Sequence, residues 1–216
     1  MENTKMNDSI ILVNDEDDEI GFCEKMEVHQ KGQLHRAFSL LIVDSNLNVL
    51  IQKRAKNKYH SGGLWTNACC SHPRKGEDIE RSIRKRVLEE LGIDIMDSSS
   101  FVLTELGKFK YIKHFDGCTE YEIDHVFLLE LPSNIELHPN AAEVEELNWV
   151  NIFDLGDRLL NNPDDFTAWF PAVYDMYIQE ELWNPTMYWP LYGEKLGDLL
   201  QQQKENICCI SFGKNE

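Results

Sequence analysis

The sequence predicts an α/β (α+β) architecture, a mixed β-sheet sandwiched between helices in a single domain, and three observations carry that prediction. Apolar runs rich in strand-forming residues recur between turns containing Gly, Asn and Asp. Residues 79–91 repeat their apolar side chains at helical steps, and no linker or internal repeat divides the 216 residues. With 42% hydrophobic residues, a chain of this length buries one sizeable core more readily than two.

Residues 1–19 are polar and end in the acidic run Asp15-Glu16-Asp17-Asp18-Glu19. They predict a solvated, flexible lead-in to a domain spanning 20–204, with a polar tail at 205–216. Residues 37–43 and 49–52, joined by the turn Asp44-Ser45-Asn46, predict a hairpin. Ser61-Gly62-Gly63 bends the chain before an extended segment at 64–70, and Pro73 keeps His72 out of the helical region. Asp78 then caps a helix whose apolar face is Ile79, Ile83, Val87, Leu88 and Leu91 and whose stop is Gly92. Strands are expected at about 102–111, 121–131 and 148–151, with a loop at 132–139, and helices at about 152–160, 169–181 and 191–203.

Thirty-eight acidic against 21 basic residues leave a formal charge of −17, which argues against nucleic acid or an anionic membrane as the main partner. An anionic ligand must therefore be caught by a local basic cluster. No apolar run approaches the roughly 20 residues that span a bilayer. Residues 1–8 lack the basic-then-apolar order of a secretion signal, so a cytoplasmic protein with reduced thiols is expected. Of the six cysteines, Cys69 and Cys70 lie close to a histidine, His72; Cys23, Cys118, Cys208 and Cys209 read as small hydrophobes or exposed thiols.

Alternation along a strand projects Glu120, Glu122 and Asp124 to one face and Tyr121, Ile123, His125 and Phe127 to the other. Acids stacked on one face are tolerated in open water or around a cation, and the apolar flanks here place them inside a sheet. The same rule sets Cys70 and His72 on one side, while His29 and His35 bracket a turn containing glycine. Three imidazoles and two carboxylates suit zinc, manganese or another divalent first-row ion. The ordinary alternative is surface or satisfied core histidines, and that reading is kept for His60, His114, His125 and His138. In Glu89-Glu90-Leu91-Gly92 a carboxylate can hold magnesium against phosphate oxygens, although adjacent helical glutamates are usually solvated. Arg54, Lys58 and Arg86, with Lys25, form the candidate anion clamp.

The segments His35-Arg36-Ala37-Phe38-Ser39, Trp65-Thr66-Asn67-Ala68-Cys69-Cys70-Ser71-His72-Pro73, Glu89-Glu90-Leu91-Gly92 and Glu120-Tyr121-Glu122-Ile123-Asp124 belong to one pattern. Over about residues 25–169 the chain resembles the type I isopentenyl diphosphate isomerases of the Nudix-fold superfamily. The resemblance implies a Nudix-like fold and the interconversion of isopentenyl and dimethylallyl diphosphate in isoprenoid biosynthesis. Matched motif by motif, it implies Cys70 and Glu122 as the catalytic pair, with Tyr111 assisting. It implies His29, His35, His72, Glu120 and Glu122 as ligands of Zn2+ or Mn2+, and Glu90 as a contact of Mg2+ bound with the diphosphate. Lys25, Arg54, Lys58 and Arg86 would grip the anion, and Trp169 would face a carbocation.

Chemistry explains the grouping. An isolated double bond is a poor base, so moving it requires an acid on one side and a base on the other. The tertiary cation formed between the two steps must be kept from water, and an aromatic face stabilises it by about 2 kcal/mol or more when desolvated. A core tryptophan on an amphipathic helix is the competing reading of Trp169. A monomer or weak dimer acting on a small diphosphate is expected. The nearest alternative, a Nudix hydrolase of a nucleotide diphosphate, expects Arg-Glu-x-x-Glu-Glu-x-Gly. Here Lys85-Arg86 stands at the first pair and puts a cation where a metal-binding acid is expected. A non-catalytic module for a phosphorylated ligand would need neither Cys70 beside His72 nor the two glutamates.

Overall fold

Residues 8–97, 99–181 and 211–213 are described by a computed structural model of the chain. In chain order its strands are β1 (Ser9–Val13), β2 (Glu19–Glu24), β3 (His35–Val43), β4 (Asn48–Arg54), β5 (Trp65–Thr66), β6 (Cys69–Ser71), β7 (Leu103–Phe115), β8 (Cys118–Glu130), β9 (Val144–Asn151) and β10 (Ser211–Gly213). The helices are α1 (Lys25–Lys31), α2 (Ile79–Leu91), α3 (Ile152–Asn161) and α4 (Phe170–Glu181). The strands form one mixed sheet with β10-β7-β8-β3-β1-β2 as its main path; β4 and β6 also pair with β3, and β5 and β9 flank β4. Among the pairings of the described strands, that of β3 with β8 is parallel and the others are antiparallel. Strands buried on both faces carry apolar side chains on both, as β3 does from Ala37 to Val43.

The sheet therefore has two cores. On its front, Leu41, Val43, Tyr111, Val126 and Leu128 pack with Leu155 and Leu159 of α3, with Trp169 just before α4 and with Phe170 at its start. On its rear, Phe38, Leu40, Ile42, Phe127 and Leu129 pack with α2 through Ile83, Val87 and Leu91. Asp78 accepts a hydrogen bond from Arg81 N at 3.1 Å, a cap worth about 1 kcal/mol, and Gly92 ends α2 in the left-handed conformation. The predicted hairpin is β3–β4. The predicted extended stretch at 64–70 is two short strands on either side of Asn67, because Asn67 turns its amide into the protein instead of continuing a ladder. The expected strands at 102–111, 121–131 and 148–151 correspond to β7, β8 and β9, and the helices at 152–160 and 169–181 to α3 and α4. The helix expected at 191–203 lies outside the described residues, and within the tail Ser211–Gly213 pairs with β7.

The lead-in expectation for residues 1–19 does not survive from Ser9 onward. Ile10, Ile11 and Val13 are buried in β1, which pairs with β2 along its length and meets β3 where Leu12 opposes His35. Ile11, Val13, Phe22, Leu34 and Ile123 make a small apolar layer of their own. The acidic run is the turn of this hairpin, and Asp17 is clamped to the rear of the sheet by Arg36, Lys108 and His125. Edge pairing on β3 and these cations supply what local composition does not. In β7 the register slips by one residue between Glu105 and Gly107. Gly107 has φ of 140°, a backbone conformation that side chains rarely adopt, so the bulge favours glycine; the nearby Met176 Cε, at the end of a flexible side chain, could move aside.

Candidate active site

Helix α1 begins where Glu24 accepts a hydrogen bond from Glu27 N and ends at Gly32, which sets Lys25 and His29 on neighbouring turns. His29 donates from Nδ1 to Lys25 O at 2.6 Å, and His35 donates from Nδ1 to Gln33 O at 2.8 Å. In both rings this leaves the Nε2 lone pair turned inward, the tautomer a metal ligand needs. The pairing register then brings the carboxylates to them. Glu122 on β8 lies opposite His35 of β3 on one side and Tyr111 of β7 on the other.

His29 Nε2 is 3.3 Å from Glu120 Oε1, while His35 Nε2 and His72 Nε2 are 3.2 and 2.7 Å from Glu122 Oε1. The three imidazole centroids lie 4.8 to 5.2 Å apart. One ligand atom from each of His29, His35, His72, Glu120 and Glu122 falls within 4.8 Å of all the others, and all five residues are buried. His35 Nε2 and His72 Nδ1 are buried without a hydrogen-bond partner. The unpartnered His35 Nε2, beside a buried acid, and the convergence of three imidazoles on two carboxylates fit a divalent ion. Burial and Glu122 both oppose ionisation of Glu120, yet its contacts with the His29 and His60 rings hold its carboxyl below the usual value. Glu122 is held well below that range, against its burial, by hydrogen bonds from its neighbours and the charge of His35.

Beside this cluster, Cys70 sits on β6 opposite Ser39. Its Sγ donates to Asn67 Oδ1 at 3.0 Å, receives Trp169 Nε1–H at 3.3 Å and lies 3.7 Å from Ser39 Oγ. Burial first, and then the charge of Asp124, push the Cys70 thiol up to about 12. Tyr111 donates to Glu122 Oε2 at 2.7 Å, and burial drives its own phenol well above the ordinary value. Ser39 donates to Asp124 Oδ2 at 2.8 Å; burial and the charge of Glu122 push Asp124 well above the carboxylate range.

Lys25, Arg54, Lys58 and Arg86 line the same pocket, which encloses about 500 Å³ with its mouth included. Burial, together with the neighbouring Arg74, Lys58 and Arg86, pushes Lys25 down to about 8 despite the attraction of Glu120. So many cations around one opening favour an anionic ligand. Arg54 Nε is buried without a partner, and its guanidinium lies 5.5 Å from the Trp169 ring centroid. Lys58 is paired with Glu143, whereas Arg86 reaches Glu89 at 2.7 Å and also pairs with Glu90.

The structure thus brings together Cys70, Glu122, Tyr111, Trp169, the five metal-ligand candidates and the four cations. Glu90 stands apart: it is buried, its carboxylate is shared by Arg86 and Gln52, and it does not line the pocket. The sequence gives no local signal for His60, which reads as an ordinary histidine. Its Nε2 is 2.6 Å from Glu120 Oε1, because the 55–64 loop folds back over the cluster. Tyr59 OH, at 3.5 Å from the same oxygen, and Asn67, at Cys70 and Trp169, go unmarked too. Only adjacency to Lys58 and Cys70 could have drawn notice to them. His114 and His138 are exposed, and His125 bridges Asp17 and Glu105 on the rear. Cys23, Cys69, Cys70 and Cys118 are free thiols; Cys208 and Cys209 lie outside the described residues.

The NUDIX domain family matches residues 33–170. The chain is 41% identical over 185 residues to the isopentenyl-diphosphate Delta-isomerase 2 of Photorhabdus laumondii subsp. laumondii, covering 83% of this chain and 98% of that protein. To the isopentenyl-diphosphate Delta-isomerase of Photobacterium profundum it is 40% identical over 177 residues, covering 80% and 96%. Among solved structures, DR0079 from Deinococcus radiodurans is similar with a TM-score of 0.62 at 16% identity, covering 78% of this chain and 99% of that one. The MutT protein of Methanosarcina mazei is similar with a TM-score of 0.53 at 17% identity, covering 68% and 94%. At these identities the two structures speak for the fold alone.

Proposed function

Because the chain belongs to the isopentenyl-diphosphate Delta-isomerases of the NUDIX superfamily, we propose that its pocket interconverts isopentenyl diphosphate and dimethylallyl diphosphate, with Cys70 and Glu122 as the acid–base pair. The observation that carries this reading is the placement of a half-buried thiol and a buried carboxylate in one cation-rimmed pocket, each gripped by its own hydrogen-bond donors. One of the two gives a proton to the terminal carbon of the double bond. The other withdraws a proton from the carbon beyond the resulting tertiary centre, and the reverse reaction exchanges the roles.

Tyr111 fixes the Glu122 carboxylate, and Trp169 directs its N–H to Cys70. Its indole, with the Tyr111 ring 6.4 Å away, lines the wall against which the cationic carbon is screened from water. Lys25, Arg54, Lys58 and Arg86 hold the diphosphate and fix the depth of the five-carbon chain. His29, His35, His72, Glu120 and Glu122 would hold Zn2+ or Mn2+, which neutralises the paired carboxylates and lets Glu122 stay ionised in a dry site. Glu90 would contact Mg2+ carried with the diphosphate once Arg86 turns to the phosphates. The hydrolase alternative is disfavoured by Arg86, which neutralises Glu89 and Glu90 in the helix where that chemistry gathers metal ions. No helix among the described residues is long and apolar enough to cross a membrane, and the four described cysteines are free thiols, which supports cytoplasmic residence; a monomer or weak dimer is the state expected.

The test is incubation of purified protein with isopentenyl diphosphate in deuterated buffer, followed by NMR and mass spectrometry. Deuterated dimethylallyl diphosphate should appear without release of phosphate, and Cys70→Ala should abolish both turnover and exchange while remaining folded. Steady phosphate release would instead make the enzyme a hydrolase, and normal turnover by Cys70→Ala would remove the thiol from the mechanism.

A further inference from the structure

His60 touches the metal-ligand cluster from a loop, and no step described above uses it. Its ring is buried, with 8% exposure, and Nε2 stands 2.6 Å from Glu120 Oε1. That is closer than either His29 Nε2, at 3.3 Å, or Tyr59 OH, at 3.5 Å, comes to the same oxygen. The other ring nitrogen lies 3.1 Å from Ser61 Oγ. One assignment satisfies both contacts: the Ser61 hydroxyl donates to Nδ1, and Nε2–H donates to Glu120.

The ring has little freedom to leave. It stacks on Phe115 at 4.8 Å and 27°, and meets the rings of Tyr59 and Trp169 edge-on at 4.4 and 5.9 Å. The loop beneath it is equally fixed, since a Cβ on Gly62 would fall 2.5 Å from Lys56 O and Gly63 N donates to Arg54 O at 2.9 Å. His60 is nevertheless not one of the residues whose ligand atoms converge within 4.8 Å.

From this geometry we propose that His60 is a positioning residue that fixes the Glu120 carboxylate and so sets the affinity of the five-residue centre for its divalent ion. The proposal rests on the reading of His29, His35, His72, Glu120 and Glu122 as that centre. A carboxylate already restrained by a rigid donor has less freedom to lose on ligation, and such outer partners typically contribute 10- to 100-fold in affinity.

The experiment is titration of the metal-stripped full chain with Zn2+ against a chelating indicator, with Co2+ spectra and the melting temperature of each apo protein recorded alongside. His60→Ala and His60→Asn should bind roughly 10- to 100-fold more weakly. His60→Gln, whose amide nitrogen reaches the place of Nε2, should recover to within about threefold, with Co2+ band positions unchanged throughout. If His60→Ala does not fold, the Gln and Asn variants carry the comparison. Wild-type affinity in His60→Ala, or Gln no better than Asn, would overturn the proposal, as would a change in Co2+ bands that made His60 itself a ligand. If the wild type binds no stoichiometric ion, or His35→Ala binds as well as wild type, the centre itself is wrong and this role falls with it.

Discussion

On the two faces of β8, acids meet histidines with opposite results. At the rear, Asp17 receives Arg36 Nε at 2.8 Å, Lys108 Nζ at 3.0 Å and His125 Nε2 at 2.8 Å. Permanent cations answer it, and its carboxyl is held far below the usual range by His125, Arg36 and Lys108 against the cost of burial. At the front, among the described residues, Glu120 and Glu122 have only imidazoles at ion-pair distance: His29 and His60 for the one, His35 and His72 for the other. An imidazole is not a permanent cation as Arg36 and Lys108 are, so the front acids keep a demand that the rear has met internally. The difference separates a clamp that holds the fold from a site prepared for a cation.

The largest expected effect tests that separation directly. Glu122→Gln should lower kcat by roughly 10²- to 10⁴-fold and strip the bound ion, whereas Asp17→Asn should leave kcat within about fivefold. Steady-state kinetics with metal analysis decides it, and comparable losses in the two variants would erase the distinction. Next, Asp17→Ala leaves Arg36 and Lys108 facing each other without their acid. Both cations are partly exposed, which reduces the effect, and the unfolding free energy in urea should drop by about 1–3 kcal/mol. A loss below about 0.5 kcal/mol would rank the rear cluster with ordinary surface pairs.

The smallest effect concerns pH. Burial alone would lower the His125 pKa, but hydrogen bonds to Asp17 and Glu105, reinforced by their charges, raise it above the ordinary histidine value. A raised folded value means that its stabilisation is complete below the unfolded pKa of about 6.5 and fades as pH climbs through the folded one. The stability gap between wild type and His125→Gln should therefore narrow from pH ~6 to pH ~9, by under about 2 kcal/mol. A gap independent of pH, measured by denaturation at several pH values, would mean that His125 contributes packing alone.

The parts of this arrangement legible in the sequence are those governed by local period. Glu120, Glu122 and Asp124 share a face because strand side chains alternate, and α2 announces itself through Asp78, its apolar spacing and Gly92. The clamp residues Arg54 and Lys58 were found as charges out of place in an acidic chain. What stayed hidden depends on contacts distant in sequence. The run Ile10-Ile11-Leu12-Val13 is a short strand signal between polar flanks, and its place in the fold follows only from the pairing of β2 along it and the meeting with β3 at its edge. The acidic run read as solvated because its answering cations, Arg36 and Lys108, are 19 and 91 residues away. His60 has no periodic partner at all; only closure of its loop brings it to Glu120.

The slip in β7 has a consequence for how one strand can work on both sides of the sheet. Glu105 reaches rearward to His125, while Tyr111, six positions later by count and so of the same parity, points forward to Glu122. Strict alternation would force both side chains to one side. The surplus residue at Leu106 inverts the phase midway, letting a continuous strand fasten the hairpin clamp behind and orient the Glu122 carboxylate in front. Removing that residue should not merely loosen β7; it should trade Glu105 and Leu103 across the sheet, exposing the rear clamp and crowding the front core in one stroke.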